Sequence, residues 1–225
     1  MLKKIPVIIQ ARINSTRLPA KIFLQVNGLS IIEHLLKRLS RIKEKRDFVG
    51  DIYLAVPNGE INIFRSNLKK YKNIVIYEGS ENNVLDRFLN LMNAFKLDAA
   101  FRITSDNPLV CLDAFDLIYK NLDRINKYKC ISLYHQKKLP NGTVISLLTN
   151  DYLEFVKSLN DKVCNEHLII SSNNNAEKVI YNPEIKTNYL NSSFCIDTIN
   201  DFLYLNKISN FKKLPLTLKN LIKKL

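Results

Sequence analysis

The chain has 225 residues, 46% of them hydrophobic and 24% charged, the composition of a globular protein able to bury a substantial core. Lysine and arginine outnumber the acids 34 to 21, giving a formal net charge of +13. No apolar run approaches the roughly 20 residues of a membrane-spanning helix, so a transmembrane protein is excluded at the level of sequence.

The first ten residues place Lys3 and Lys4 ahead of an apolar run. The run is too short for a signal peptide and no small-residue cleavage site follows, so a cytoplasmic protein is expected. That run, 5–9, is the first predicted strand. Ser30 and Glu33 have the spacing of a capping box. They open a helix whose Ile31, Ile32, Leu35, Leu36, Leu39 and Ile42 form one apolar stripe. A second strand is predicted over 51–56, ended by Pro57-Asn58-Gly59. A weaker helix over 60–71 leads to a third strand at 74–77. The next helix, 83–95, carries its apolar face on Val84, Leu85, Phe88, Leu91, Met92 and Phe95. The fourth strand, 99–103, is stopped by Asp106-Asn107-Pro108, and a helix over 112–125 follows.

Four strand–helix alternations with short connections predict a three-layer, Rossmann-like α/β fold with a mainly parallel central sheet. Beyond residue 127 the pattern loosens. Strands are predicted at 130–134, 143–148 and 194–196, and helices at 152–158, 165–172 and 199–208. With no repeat and no low-complexity linker, one domain over 1–225 is expected, ending in a basic tail at about 211–225. That tail reads as an amphipathic helix on the domain, a homodimer contact or a membrane-surface element.

Cys111, Cys130, Cys164 and Cys195 form no CxxC pair, so neither a disulfide framework nor a zinc site is expected. The basic excess is mostly lysine and dispersed, but two clusters stand out. One comprises Lys37, Arg38, Arg41, Lys43, Lys45 and Arg46. The other is the stretch after Asp201, which has lysines and no acid. Neither is interleaved with aromatics in a groove-reading pattern, which disfavours nucleic acid as the partner and points to a small anion or an anionic surface.

The most informative segment is Gln10-Ala11-Arg12-Ile13-Asn14-Ser15-Thr16-Arg17-Leu18-Pro19-Ala20-Lys21, directly after the first strand. It concentrates three cations and two hydroxyls at a strand end, and Pro19 stiffens the loop. Ligands of open α/β sheets bind at the carboxyl ends of strands, and such a loop suits a polyphosphate. A solvated basic turn is the plain alternative. Asp106 follows the fourth strand and Asp197 follows a short predicted strand. Two carboxylates so far apart in sequence can converge on one Mg²⁺. The plain alternatives are an Asx turn at Asp106 and a helix cap at Asp197.

Residues 11–21 resemble the signature of the cytidylyltransferases that activate sugar acids, and are most similar to the spore-coat polysaccharide branch. Further segments follow in that branch's order: Glu78-Gly79-Ser80 through Val84-Leu85-Asp86-Arg87-Phe88, Phe101 through Leu109, Pro140-Asn141-Gly142, Glu166-His167 and Ile196-Asp197-Thr198. The resemblance spans roughly residues 5–208. It implies transfer of CMP from CTP to a small anionic acceptor with release of pyrophosphate, in surface polysaccharide or glycan synthesis. It implies Arg12, Lys21 and Asp106 as catalytic residues and Mg²⁺ held by Asp106 and Asp197. Ala11, Arg12, Ser15, Arg17, Lys21, Ser80, Asp86 and Arg87 would bind the nucleotide, with Arg17 equally able to brace the loop. Asn141, Glu166 and His167 would face the acceptor. The chain departs from the family pattern at Ala20 and Ser105, where Gly is usual, at Asn141, where Asp is usual, and at Ser193, where Arg is frequent. Two competing readings remain: a nucleotidyltransferase using another base or a phosphorylated acceptor, and a non-catalytic basic binding module.

Overall fold

The structure is a computed structural model that describes residues 4–125, 130–133, 140–160, 166–168, 193–208 and 210–224. Its frame is a six-stranded sheet. In chain order the strands are β1 (Ile5–Gln10), β4 (Val49–Pro57), β5 (Ile74–Gly79), β6 (Ala99–Thr104), β7 (Cys130–Ser132) and β8 (Ser146–Thr149). A two-stranded ribbon, β2 (Gln25–Val26) with β3 (Leu29–Ser30), lies between β1 and the first helix. The helices are α1 (Ile31–Lys45), α2 (Ile61–Asn67), α3 (Val84–Ala94), α4 (Leu112–Lys120), α5 (Asn150–Ser158), α6 (Ile199–Asn206) and α7 (Leu218–Ile222).

The spatial order is β5-β4-β1-β6-β8-β7. β5, β4, β1 and β6 are parallel, and β8 and β7 close that side antiparallel. Side chains alternate across the sheet, as the twofold strand period requires. Val7, Ile9, Leu54, Val56, Phe101 and Ile103 face a core shared with α1 and α4. Ile8, Tyr53, Ala55 and Ala100 face a second core shared with α3 and α5. Both faces of the sheet are therefore covered, as the near-continuous apolar strands foretold.

Ser30 and Glu33 do form the capping box of α1. The predicted helix at 112–125 ends at Lys120 and tightens into a 3-10 turn at Leu122–Arg124. Residues 194–196 are not a strand. Ser193 makes an isolated parallel bridge to Asn141, Phe194 N donates to Asn141 O, and Ile196 N donates to Asp106 O. The segment is pinned to two loops, and among the described residues it has no strand to form a ladder with. The predicted helix at 165–172 lies outside the described residues except for 166–168.

A third core joins the ribbon, the loop after β6 and the C-terminal segment. It contains Val26, Leu109, Phe194, Ile196, Leu214, Leu218 and Leu221. The basic tail thus lays its apolar side on the protein and keeps Lys212, Lys213, Lys219, Lys223 and Lys224 exposed.

Topology positions the site. From β1 the chain steps to β4 and β5 on one side, then crosses to β6 on the other. β1 and β6 are neighbours, with Gln10 paired to Thr104, and Ser105 N donating to Gln10 O extends the contact beyond the strand ends. The loops leaving these two strands diverge at the switch point, which is where open α/β sheets form their crevice.

Candidate active site

Lys21 and Asp106 come from those two loops. Lys21 Nζ donates to Asp106 Oδ2 at 2.7 Å and to Asp197 Oδ1 at 3.0 Å. Lys21 is buried, because it starts a short 3-10 turn, Lys21–Phe23, whose Ile22 enters the main core. Ala20 immediately before it sits at φ 52, in the left-handed region. That conformation explains why glycine is usual there: Ala pays a steric cost that Gly does not. Arg17 adds a second cation on Asp197 at 2.9 Å.

Asp197 is delivered by the pinned 194–196 segment. The N-cap of α6 is Thr198, reciprocated by Asp201 in a capping box, so Asp197 is not the helix cap and its carboxylate is free to meet the cations. Gly142 makes this approach feasible: at φ +85, a Cβ there would lie 2.5 Å from Phe194 C and Cys195 N. Only glycine tolerates both the backbone angle and the contact.

The electrostatics follow from this cluster. Burial alone would lower the Lys21 pKa, but Asp106 and Asp197 outweigh it and hold the ammonium above its ordinary value. Burial would raise Asp197, but Lys21 and Arg17 outweigh it and hold that carboxylate below its ordinary value. Burial pushes the Cys195 thiol up, with the neighbouring carboxylates adding to the shift. Cys195 therefore stays protonated beside Asp197.

Asp106, Cys195 and Asp197 bring their ligand atoms within 4.8 Å of one another. Asp106 Oδ1 is buried and has no hydrogen-bond partner. Two carboxylates, one with an unspent buried oxygen, beside a protonated thiol form an oxygen-donor set. It fits a hard divalent cation such as Mg²⁺ and not a thiolate-bound zinc.

The remaining predicted residues are distributed around this cluster. Arg12 is exposed and reaches Glu166 at 3.2 Å. Ala11 is buried at the strand exit, and Ala11 N donates to Ala55 O. Ser15 is half-buried in the loop. Ser80 Oγ accepts from Asn83 N, and Asn83 caps α3 by accepting from Asp86 N. Asp86 pairs with Asn83 Nδ2 and with Lys157 of α5. Arg87 is 1% exposed. Its Nε and Nη1 have no hydrogen-bond partner, and burial, partly offset by Glu60, pushes its pKa down to about 10. His167 is exposed, and Asn141 is exposed beside Ser193.

Sequence reasoning missed two contributors. Glu60 is buried and accepts from Ile13 N at 2.9 Å, fixing the middle of the cationic loop while facing Arg87. Cys195 lies against both carboxylates. The signal for Glu60 was its place just after the turn closing β4, beside β1; Cys195 gave none.

A family profile described as cytidylyltransferase matches residues 6–220. The chain belongs to the cytidylyltransferase family. An uncharacterized protein of Methanocaldococcus jannaschii is 32% identical over 224 residues, covering 97% of this chain and 89% of the relative. The spore coat polysaccharide biosynthesis protein SpsF of Bacillus subtilis is 32% identical over 129 residues, 55% of this chain and 52% of SpsF. A cytidylyltransferase structure from Leptospira borgpetersenii superposes with a TM-score of 0.82 at 24% identity, covering 98% of this chain and 92% of that one. A CMP:2-keto-3-deoxy-manno-octonic acid synthetase complexed with CTP has a TM-score of 0.54 at 14% identity, covering 69% and 78%. These last two likenesses establish a shared fold, that of the nucleotidyltransferases. As in the rest of the family, the enzyme class is nucleotidyl transfer, and among the described residues no helix is long and apolar enough to cross a membrane.

Proposed function

We propose that this cytidylyltransferase moves the CMP group of CTP onto a sugar acid, releasing pyrophosphate, as a step in surface polysaccharide or glycan synthesis in the cytoplasm. The observation that carries the reading is the Lys21–Asp106–Asp197 cluster at the switch point between β1 and β6. Similarity to SpsF and to the CMP-sugar-acid synthetase supports the acceptor class and the pathway.

In this account Lys21 and Arg12 hold the triphosphate, with Ser15 and Arg17 on the same loop and Ala11 at its root. Phosphoryl-type transfer is mainly positioning and charge neutralisation. Each charge-assisted contact to phosphate contributes roughly 1.5–3 kcal/mol. Asp106 and Asp197 would hold Mg²⁺, which supplies neutralisation of the α-phosphate and lowers the pKa of a nearby hydroxyl. The acceptor hydroxyl attacks the α-phosphorus and the bond to the β-phosphate breaks. Ser80, Asp86 and Arg87 flank the nucleotide. Asn141, Glu166 and His167 face the acceptor, and the Arg12–Glu166 pair would open to admit it.

The test is pyrophosphate release with each of the four NTPs, with Mg²⁺, and with and without a panel of 3-deoxy-2-keto sugar acids and sugar phosphates. The reading expects release from CTP that depends on a sugar acid. Release from another NTP, or only with a sugar phosphate, supports the competing nucleotidyltransferase reading and refutes this one.

A further inference from the structure

A second cationic site lies outside the Lys21 cluster and shares no residue with it. It is a shallow recess, open to solvent, between α1, the loop after β6 and the C-terminal segment. Lys37 and Arg41 from α1 and Lys212 from the C-terminal segment line it. Among the described residues none of the three makes an ion pair with a carboxylate. Glu33, the nearby acid of α1, is turned to Ser30 and Lys70. Asp113 is committed to Leu218 N.

Arg38 adds a fourth positive charge at the base. It is buried, and its donors go to the carbonyls of Val110, Leu214, Pro215 and Leu216. Arg38 therefore locks the C-terminal segment in place, and among the described residues no carboxylate makes an ion pair with it. Arg41 Nη1 reaches the Lys212 and Leu214 carbonyls, which orients the guanidinium. Leu109 and Phe211 give the recess an apolar wall. Its polar lining is cationic apart from His34, whose Nε2 lies 2.7 Å from Val26 O.

We infer that this recess binds the phosphate group of a small phosphate ester, or of a lipid headgroup, at a site separate from the catalytic one. Convergent Lys and Arg donors match phosphate in charge and geometry. The recess is shallow and opens to solvent, so it suits one phosphate group seated on its cationic rim, with the remainder of the ligand outside. Pro108 and Leu109 line it two and three residues beyond Asp106. Its occupant touches the same loop that carries an active-site carboxylate.

His34 is a built-in reporter. Burial depresses its pKa, and Lys212 and Lys37 depress it further, against the Val26 carbonyl and Glu33. Phosphate seated among the lysines removes that repulsion and raises the value. The experiment is an NMR pH titration of the His34 ring with and without inorganic phosphate, assigned with His135→Gln and His167→Gln. The expected result is a saturable rise of about one pKa unit, kept in Lys21→Ala and abolished in Lys37→Gln/Lys212→Gln, which retains CTP turnover. Sedimentation with phosphatidic-acid vesicles but not phosphatidylcholine vesicles, lost in the same double variant, assigns the phosphate to a lipid. A response to free phosphate without sedimentation assigns it to a soluble ester. A His34 response that is absent in the wild type, or that survives in the double variant, overturns the inference.

Discussion

Lys21 Nζ lies 2.7 Å from Asp106 Oδ2, although 85 residues separate them in sequence. The two leave the sheet from adjacent parallel strands, and Lys21 also reaches Asp197. A single ammonium is thus the internal counter-ion of both carboxylates.

Replacing Lys21 with Met tests both faces of that arrangement. The proposed phosphate contact is lost, so kcat/KM for CTP falls at least about tenfold. Removing the ammonium leaves two carboxylates facing each other, which costs about 1–3 kcal/mol of stability. Mn²⁺ binding without nucleotide tightens, because the cation no longer displaces a lysine. Steady-state kinetics and Mn²⁺ titration calorimetry check this; wild-type values in both would contradict it.

Arg87→Met separates stability from function. A buried guanidinium with two unpaired donors, its pKa lowered by burial more than Glu60 raises it, is a poor contributor to stability. Thermal melts should show an unchanged or higher Tm, while CTP affinity falls. The pH dependence has a definite sign. The folded pKa of about 10 is below the ordinary 12.5, so the unfolded state binds more protons between these values. The penalty of burying Arg87 is present in full below about pH 10 and is relieved above it. The stability gap between variant and wild type should therefore be flat from pH 6 to 9 and narrow at higher pH.

Gly142→Ala should damage the Asp197 arm from a distance. The new Cβ meets Phe194 and Cys195 backbone at 2.5 Å and strains a positive φ. A cost of about 1–3 kcal/mol is expected, with turnover reduced because the 194–196 segment must shift and carries Asp197 with it. Urea unfolding and turnover measured on the same preparation check the coupling. A stable variant with full activity would contradict it.

Much of the frame was legible because the signals were local. The stripe on α1, the Ser30–Glu33 box and the apolar runs at β1, β4 and β6 each encode their own element. Strand ends then point to Arg12, Lys21 and Asp106, since ligands gather at carboxyl ends of parallel strands. What escaped depends on contacts between distant segments. The 194–196 segment has strand composition, but its partners are Asn141 and Asp106, which no local pattern announces. Arg87 occupies a helix position next to the polar Asp86, and only the approach of Glu60 and the loop after β1 shows that it is buried. The β2–β3 ribbon is too short to register as a periodic pattern.

The central claim is that Asp106 and Asp197 hold one divalent cation beside the CTP phosphates. The most direct measurement is calorimetric titration of Mn²⁺ into the protein saturated with a non-hydrolysable CTP analogue, for the wild type, Asp106→Asn, Asp197→Asn and the double variant. The account predicts one tight site per chain in the wild type and affinity at least about tenfold weaker in either single variant. It predicts a double variant little worse than the singles, because groups acting as a unit are non-additive. Both single variants binding Mn²⁺ as the wild type does would contradict it.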